Sequence, residues 1–232
     1  MAAAPQTHRS VAGHPHGRVP RAVREQQLLD VAKELFARKG YQGTSIEDIA
    51  RGAGVTRPIV YDHFDSKDSL YLACVRGARN ELERMFTEAA GATQDPGEQL
   101  WGGINSYFEF IEGDPSAWDV LFGGGSAVAG PAAEEVMRLR FATVGRIAEL
   151  LGQAVPHVDP QSREALAHAL SGSGEQLAKW WREHPELTRQ QIAGYHMAFA
   201  WLGLRELVAA AQADAPVAPG DSPPSTDGRS AQ

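Results

Sequence analysis

The chain has little of what would place it outside a cell or in a membrane. Its 232 residues include one cysteine, Cys74, so no disulfide can close within the chain. No apolar run approaches the roughly 20 residues that a membrane-spanning helix needs. The longest such stretch, Met197 to Leu204, runs into Arg205. The first twenty residues lack the continuous apolar segment of a secretory signal and carry His8, His14, His16, Arg9 and Arg18 instead. Alternating runs of β-branched residues with hairpin punctuation are missing as well, which argues against a sheet. A cytoplasmic, all-α protein with no membrane association is expected.

Positive charge is scarce overall, with a net charge of −7, but its distribution is uneven. Residues 1–80 hold 12 lysines and arginines against 8 acids, whereas residues 81–232 hold 10 against 21. A basic front on an acidic body suggests that one end meets a polyanion while the rest does something else. Seven of the fourteen prolines lie in residues 1–20 and 214–232, two segments with almost nothing to bury, and both are expected to be disordered. Between them the apolar period is helical. Thr44 with Glu47 and Thr188 with Gln191 fit the capping box. Asp95-Pro96, Asp114-Pro115 and Asp159-Pro160 each set a capping carboxylate before a proline at the first helical position. These marks predict nine helices near 22–39, 45–53, 57–64, 67–91, 96–112, 115–122, 131–153, 160–183 and 188–213. Gly123-Gly124-Gly125-Ser126 is expected to be a loop.

Leu28, Val31, Ala32, Leu35 and Phe36 form one apolar stripe, and Gly40 reads as the left-handed residue that ends this first helix. Ile46, Ile49, Ala50 and Ala53 make the apolar face of a short second helix. Gly54-Val55 turns the chain, and Thr56 is placed to cap a third helix with Pro58 in its first turn. This is the helix-turn-helix pattern, whose second member lies in the major groove of DNA. At about 100° per residue, Val60 and Phe64 point into a three-helix core, while Pro58, Ile59 and Asp62 lie opposite. Tyr61 and His63 fall on the flanks, and Arg57 can bend outward from the first turn. Arg18, Arg21 and Arg24 precede the first helix and suit either a minor-groove arm or a solvated basic tail. His8, His14 and His16 have no acidic or thiol partner nearby, so no metal is assigned to them.

Residues 28–72 resemble the DNA-binding region of the TetR family of bacterial transcriptional regulators. The resemblance rests on Ala32, Phe36, Gly40, Tyr41 and Thr44, on Ile49-Ala50 and Ala53-Gly54-Val55, and on Tyr61, His63-Phe64, Ser66-Lys67 and Leu70-Tyr71. Pro58-Ile59 and Asp62 depart from the common pattern. The resemblance implies a homodimeric regulator, usually a repressor, whose C-terminal helical domain binds a small ligand that releases it from a palindromic operator. It implies phosphate contacts from Tyr61, His63 and Lys67, and base contacts from Arg57, Pro58 and Asp62. Thr44 and Thr56 would offer N–H groups or hydroxyls to the DNA backbone. Domains are accordingly expected at 21–66 for the DNA-binding head and at 67–213 for the ligand-binding and dimerisation body.

In the body, aromatic residues on three successive helices suggest an apolar pocket, with Trp101, Phe108, Trp118 and Phe141 as its expected lining. Few charges fall on those faces, which favours a hydrophobic or amphipathic ligand. The last two helices carry small residues, among them Ala169, Gly172 and Ala198, with Phe199 and Leu202 beside them. Small residues allow close helix approach, and these five are expected at a dimer interface built as a four-helix bundle. A helical enzyme is the first rival, but no nucleophile elbow, paired catalytic carboxylates or metal-ligand motif is present, and no cofactor is expected. The second rival is a ligand-binding helical protein without operator binding.

Overall fold

The computed structural model describes residues 19–123 and 131–212. Among these it shows nine α-helices and no strands: α1 (Arg21–Lys39), α2 (Ile46–Gly52), α3 (Arg57–Tyr61), α4 (Lys67–Gly91), α5 (Pro96–Gly113), α6 (Pro115–Trp118), α7 (Pro131–Ala154), α8 (Pro160–Arg182) and α9 (Arg189–Gln212). No described helix is long and apolar enough to cross a membrane. The two terminal segments expected to be disordered lie outside the described residues except for Val19 and Pro20, and so do the three early histidines, Arg18 and most of the glycine-rich loop. Arg21 and Arg24 do not precede α1, as expected of an arm, but form its first turn.

Local chemistry accounts for most of the boundaries. The carboxylates of Asp95, Asp114 and Asp159 accept from the N–H groups of Glu98, Ala117 and Ser162, each with proline in the first turn. Gln191 and Thr188 complete the expected reciprocal box at α9. Gly40, at φ 70°, ends α1 in a conformation that a side chain would strain. The expected Thr44–Glu47 box is corrected by one residue: Ser45 caps α2, in a reciprocal box with Asp48. α3 is three residues shorter than expected, and the N–H groups of His63 and Phe64 both turn back to the Val60 carbonyl.

One core runs through both parts of the chain. In the head, Leu28, Ala32 and Phe36 of α1 close over Ile49, Ala50 and Val60, all buried. α4 then carries a single buried stripe of Leu70, Tyr71, Cys74, Val75, Ala78, Leu82 and Phe86. Its first part belongs to the head, where Tyr71 packs edge-on against Phe36 at 4.9 Å between ring centroids. Its last part belongs to the body, packed against α5 and α7. At about 1.5 Å per residue, α4 carries any displacement over about 37 Å.

The expected helix at 115–122 is α-helical only to Trp118; Asp119–Gly123 widens into π-helical turns. Three other helices hold this segment. The Tyr71 hydroxyl donates to the Val120 carbonyl at 3.3 Å, Arg140 Nε donates to the Leu121 carbonyl, and Arg182 pairs with the Asp119 carboxylate. Partners from outside thus take groups that a regular helix would satisfy internally.

Candidate nucleic-acid interface and ligand cavity

The head presents a five-residue α3 fixed by a turn that leaves little freedom. Gly54 sits at φ 67°, the Val55 N–H donates to the Ala50 carbonyl at 2.9 Å, and the Gln27 amide of α1 donates to the Ala53 carbonyl at 3.0 Å. A Cβ at Gly52 would lie 2.7 Å from Val31 Cγ1, so glycine there lets α2 approach α1. On the outer surface stand Thr56, Arg57, Pro58, Tyr61 and Asp62, all exposed, with Ile59 half-buried beside them. Thr56 precedes α3 without using its side chain as a cap. Arg57 lies 3.9 Å from Glu47, a loose contact between two exposed groups that DNA can readily replace.

Three other expected contact residues are drawn inward. Thr44 is 2% exposed; its hydroxyl reaches the carbonyls of Leu35 at 3.1 Å and Gly40 at 2.9 Å, while its N–H donates to Tyr41. It is a buried tie between α1 and α2 and not a group offered to phosphate. Thr44→Val should cost about 1–3 kcal/mol of stability, because the carbonyls of Leu35 and Gly40 lose the one hydroxyl hydrogen they share, and should leave the DNA affinity of the folded fraction unchanged; denaturant melts and a binding titration check both halves. The His63 side chain is 7% exposed, and its Nδ1 faces Glu25 at 3.7 Å. The flank position worked out for it is therefore closed by α1. Lys67 donates to the Tyr41 and Thr44 carbonyls, both at 3.1 Å, and lies over the Tyr41 ring. Two of its three hydrogens already bind the start of α4 to the α1–α2 connection, leaving at most one for phosphate.

The body holds an apolar cavity of about 130 Å³. α4 contributes Leu82 and Phe86; α5 contributes Leu100, Gly103, Ile104 and Tyr107; α7 contributes Thr143, Ile147, Leu150 and Leu151. Leu170, Ser171 and Gly174 of α8, His196 of α9, Phe122 of the π-helical segment and Gln99 of α5 also line it, and among the described residues no charged side chain does. None of the four expected lining residues does. Phe108 and Trp118 are buried in the core, where Trp118 donates to the Tyr107 hydroxyl at 2.9 Å; Trp101 and Phe141 face outward, 39% and 56% exposed. Cys74 is buried, and burial pushes its thiol up to about 12, so it is inert.

Residues 28–74 match the family described as "Bacterial regulatory proteins, tetR family", and residues 96–203 match "Tetracyclin repressor-like, C-terminal domain". A crystal structure of a TetR-like transcriptional regulator from Rhodococcus sp. RHA1 is 30% identical, with a TM-score of 0.68, over 81% of this chain and 99% of that one. The chain belongs to the TetR family. An HTH-type transcriptional activator, FasR, from Mycolicibacterium smegmatis is 27% identical over 84% of this chain and 90% of its own length. An HTH-type transcriptional repressor, KstR2, from Rhodococcus jostii is 34% identical over 40% of this chain and 46% of its own length. As a TetR-family protein, the chain is a DNA-binding transcriptional regulator and not an enzyme.

In this TetR-family body, α8 and α9 keep an uncovered face. Ala169, Gly172, Ala198, Phe199 and Leu202 are all exposed, the last two at 64% and 65%. A Cβ at Gly172 or Gly203 would meet nothing within 4 Å.

His196, missed in the sequence, is the most unusual group of the cavity wall. It is 4% exposed, and burial holds its imidazole below the ordinary 6.5, against the opposing pull of a hydrogen bond to the Leu170 backbone. The unfolded chain therefore binds a proton at this residue more readily than the folded one. The stability His196 contributes is complete above about pH 6.5 and is lost as pH falls below that value. Thermal melts between pH 7 and 5 should show a decline that His196→Gln flattens.

Proposed function

We propose that this regulator is a homodimeric cytoplasmic repressor, held on a palindromic operator and released from it by a hydrophobic or amphipathic small ligand. The observation that carries this reading is the continuity of α4. The helix whose Leu82 and Phe86 line the apolar cavity also places Tyr71 in the core of the DNA-reading head. Filling the cavity moves the lever on which the head is mounted. A second tie crosses the same boundary, between Lys33 of α1 and Asp114 at the start of α6.

The exposed apolar strip of α8 and α9 supports a twofold interface, which would set two copies of α3 one helical turn of DNA apart, about 34–36 Å. Exposure supports Arg57, Pro58 and Asp62 as base-reading groups, and Tyr61 and Thr56 as backbone contacts. The ligand can shift the equilibrium between the two head spacings only by its own preference between them, typically about 1–3 kcal/mol.

The test is operator-DNA anisotropy in the presence of compound panels. Release by apolar or amphipathic compounds, but not by sugar phosphates, is expected; release by sugar phosphates alone would overturn the reading of the cavity. In the same assay, Arg57→Ala should weaken operator binding by about 1–3 kcal/mol and relax selectivity at one base pair. A uniform loss across operator variants would make Arg57 a phosphate contact instead.

A further inference from the structure

The cavity wall fixes more than the ligand's apolar character. Among the described residues that line it, His196 Nδ1 is the buried side-chain polar atom without a hydrogen-bond partner. Leaving such an atom buried and unpaired is costly, so a ligand that pairs it is favoured. Of the other polar groups of the wall, Gln99 directs its amide nitrogen to the carbonyls of Ala90 and Thr93, at 3.1 and 3.0 Å, and the Tyr107 hydroxyl accepts from Trp118 at 2.9 Å.

Hydrogen counting decides what Nδ1 can do. Ser173 Oγ lies 2.9 Å from His196 Nε2 and has one hydrogen, which it donates to the Leu170 carbonyl at 3.0 Å. With that hydrogen on the Leu170 carbonyl, Ser173 accepts from the imidazole, and Nε2 carries the ring's proton. In the neutral ring this leaves Nδ1 as a bare acceptor. The space beside it is kept by Gly174, which also lines the cavity: a Cβ there would come 3.1 Å from His196 Cε1 and 3.7 Å from Nδ1. Behind the ring, Phe108 packs edge-on at 5.9 Å.

We propose that the effector is a neutral amphiphile whose polar head donates a hydrogen bond, an alcohol or phenol hydroxyl, to His196 Nδ1. An ester, thioester or ketone head brings only a lone pair to meet the Nδ1 lone pair. An ionised carboxylate brings a charge into a wall that, among the described residues, holds no lysine or arginine. His196 is thus a specificity-determining residue, and Ser173 is the positioning residue that sets its tautomer.

The proposal rests on the reading of the cavity as the effector site, and two probes separate the two claims. 1-Octanol donates and accepts, whereas 2-octanone has an apolar body of the same length and only accepts. Calorimetry on the full chain should show octanol bound about ten-fold more tightly, a preference that His196→Phe abolishes by weakening octanol alone. If both probes bind equally to the unaltered protein, the donor rule falls and the cavity reading stands. If neither binds, the cavity reading falls and the donor rule with it. Should His196→Phe not fold, a long-range proton–nitrogen correlation spectrum of the unaltered protein decides. Nδ1 is expected to be of the unprotonated type, with a shift that moves on adding octanol and not octanone; a protonated Nδ1 overturns the proposal.

Discussion

Two glutamates on the uncovered face, Phe199→Glu with Leu202→Glu, should convert the proposed dimer to a monomer that keeps its fold and loses its operator. Phe199 and Leu202 are 64% and 65% exposed in the single chain, so neither supports the monomer's core and their replacement leaves helix content and melting of the isolated chain nearly unchanged. In a twofold interface each change occurs twice. Four carboxylates would then enter an apolar contact among Ala169, Gly172 and Ala198, where each meets a desolvation penalty without a partner. The apolar burial lost is about 1.5–3 kcal/mol per large side chain. Without pairing, one head binds alone, and operator affinity should drop by about 10²–10⁴-fold. Sedimentation velocity and anisotropy measure the two effects together. An unchanged dimer would move the interface away from α8 and α9.

The second large effect is expected from Gly103→Leu, which should raise stability and abolish the response to ligand. Gly103 lies within α5 on the cavity wall, and a Cβ built there meets nothing within 4 Å. An isobutyl group occupies much of a cavity of about 130 Å³ and adds apolar contacts with the aliphatic wall. Removing glycine from a helix interior contributes about 1 kcal/mol more. The variant should melt higher, bind operator as the unaltered protein does, and stay bound when ligand is added. Release at unchanged ligand concentration would show that the effector binds elsewhere. The opposite signs matter: a merely damaged protein would lose stability as well as response.

The helices were legible because their ends are local chemistry. Asp95, Asp114 and Asp159 each cap a helix whose first turn holds proline, and no distant contact is needed to see it. The head was legible for the same reason, through Gly40, Gly54 and the apolar spacing between them. What failed was whatever depended on a neighbouring helix. Thr44 and Ser45 each have an acid three residues on, and only the carbonyls of Leu35 and Gly40 closing over Thr44 decide that Ser45 is the cap. His63 stands on an open flank of an isolated helix; α1 closes that flank through Glu25.

The cavity shows the same limit. Size and apolarity suggested the aromatic residues as its wall, yet Phe108 and Trp118 are buried in the core, while Trp101 and Phe141 point out. Leucines and isoleucines of α5 and α7 enclose it, with aromatics at other positions, Phe86, Tyr107 and Phe122, and a histidine from α9. A signal for His196 was present in the chain: an imidazole between the small residues Ala193 and Ala200 of a helix that should be closely packed. Periodicity alone did not separate it from a surface residue.

The most direct test of the central claim is selection of bound DNA from a random pool at two salt concentrations. An enriched palindrome with half-sites one helical turn apart is expected, with affinity that falls steeply with salt because the counterions released from DNA gain less on dilution into saltier solution. An enriched single half-site, or no enrichment at either salt, would contradict a dimer reading DNA through paired copies of α3.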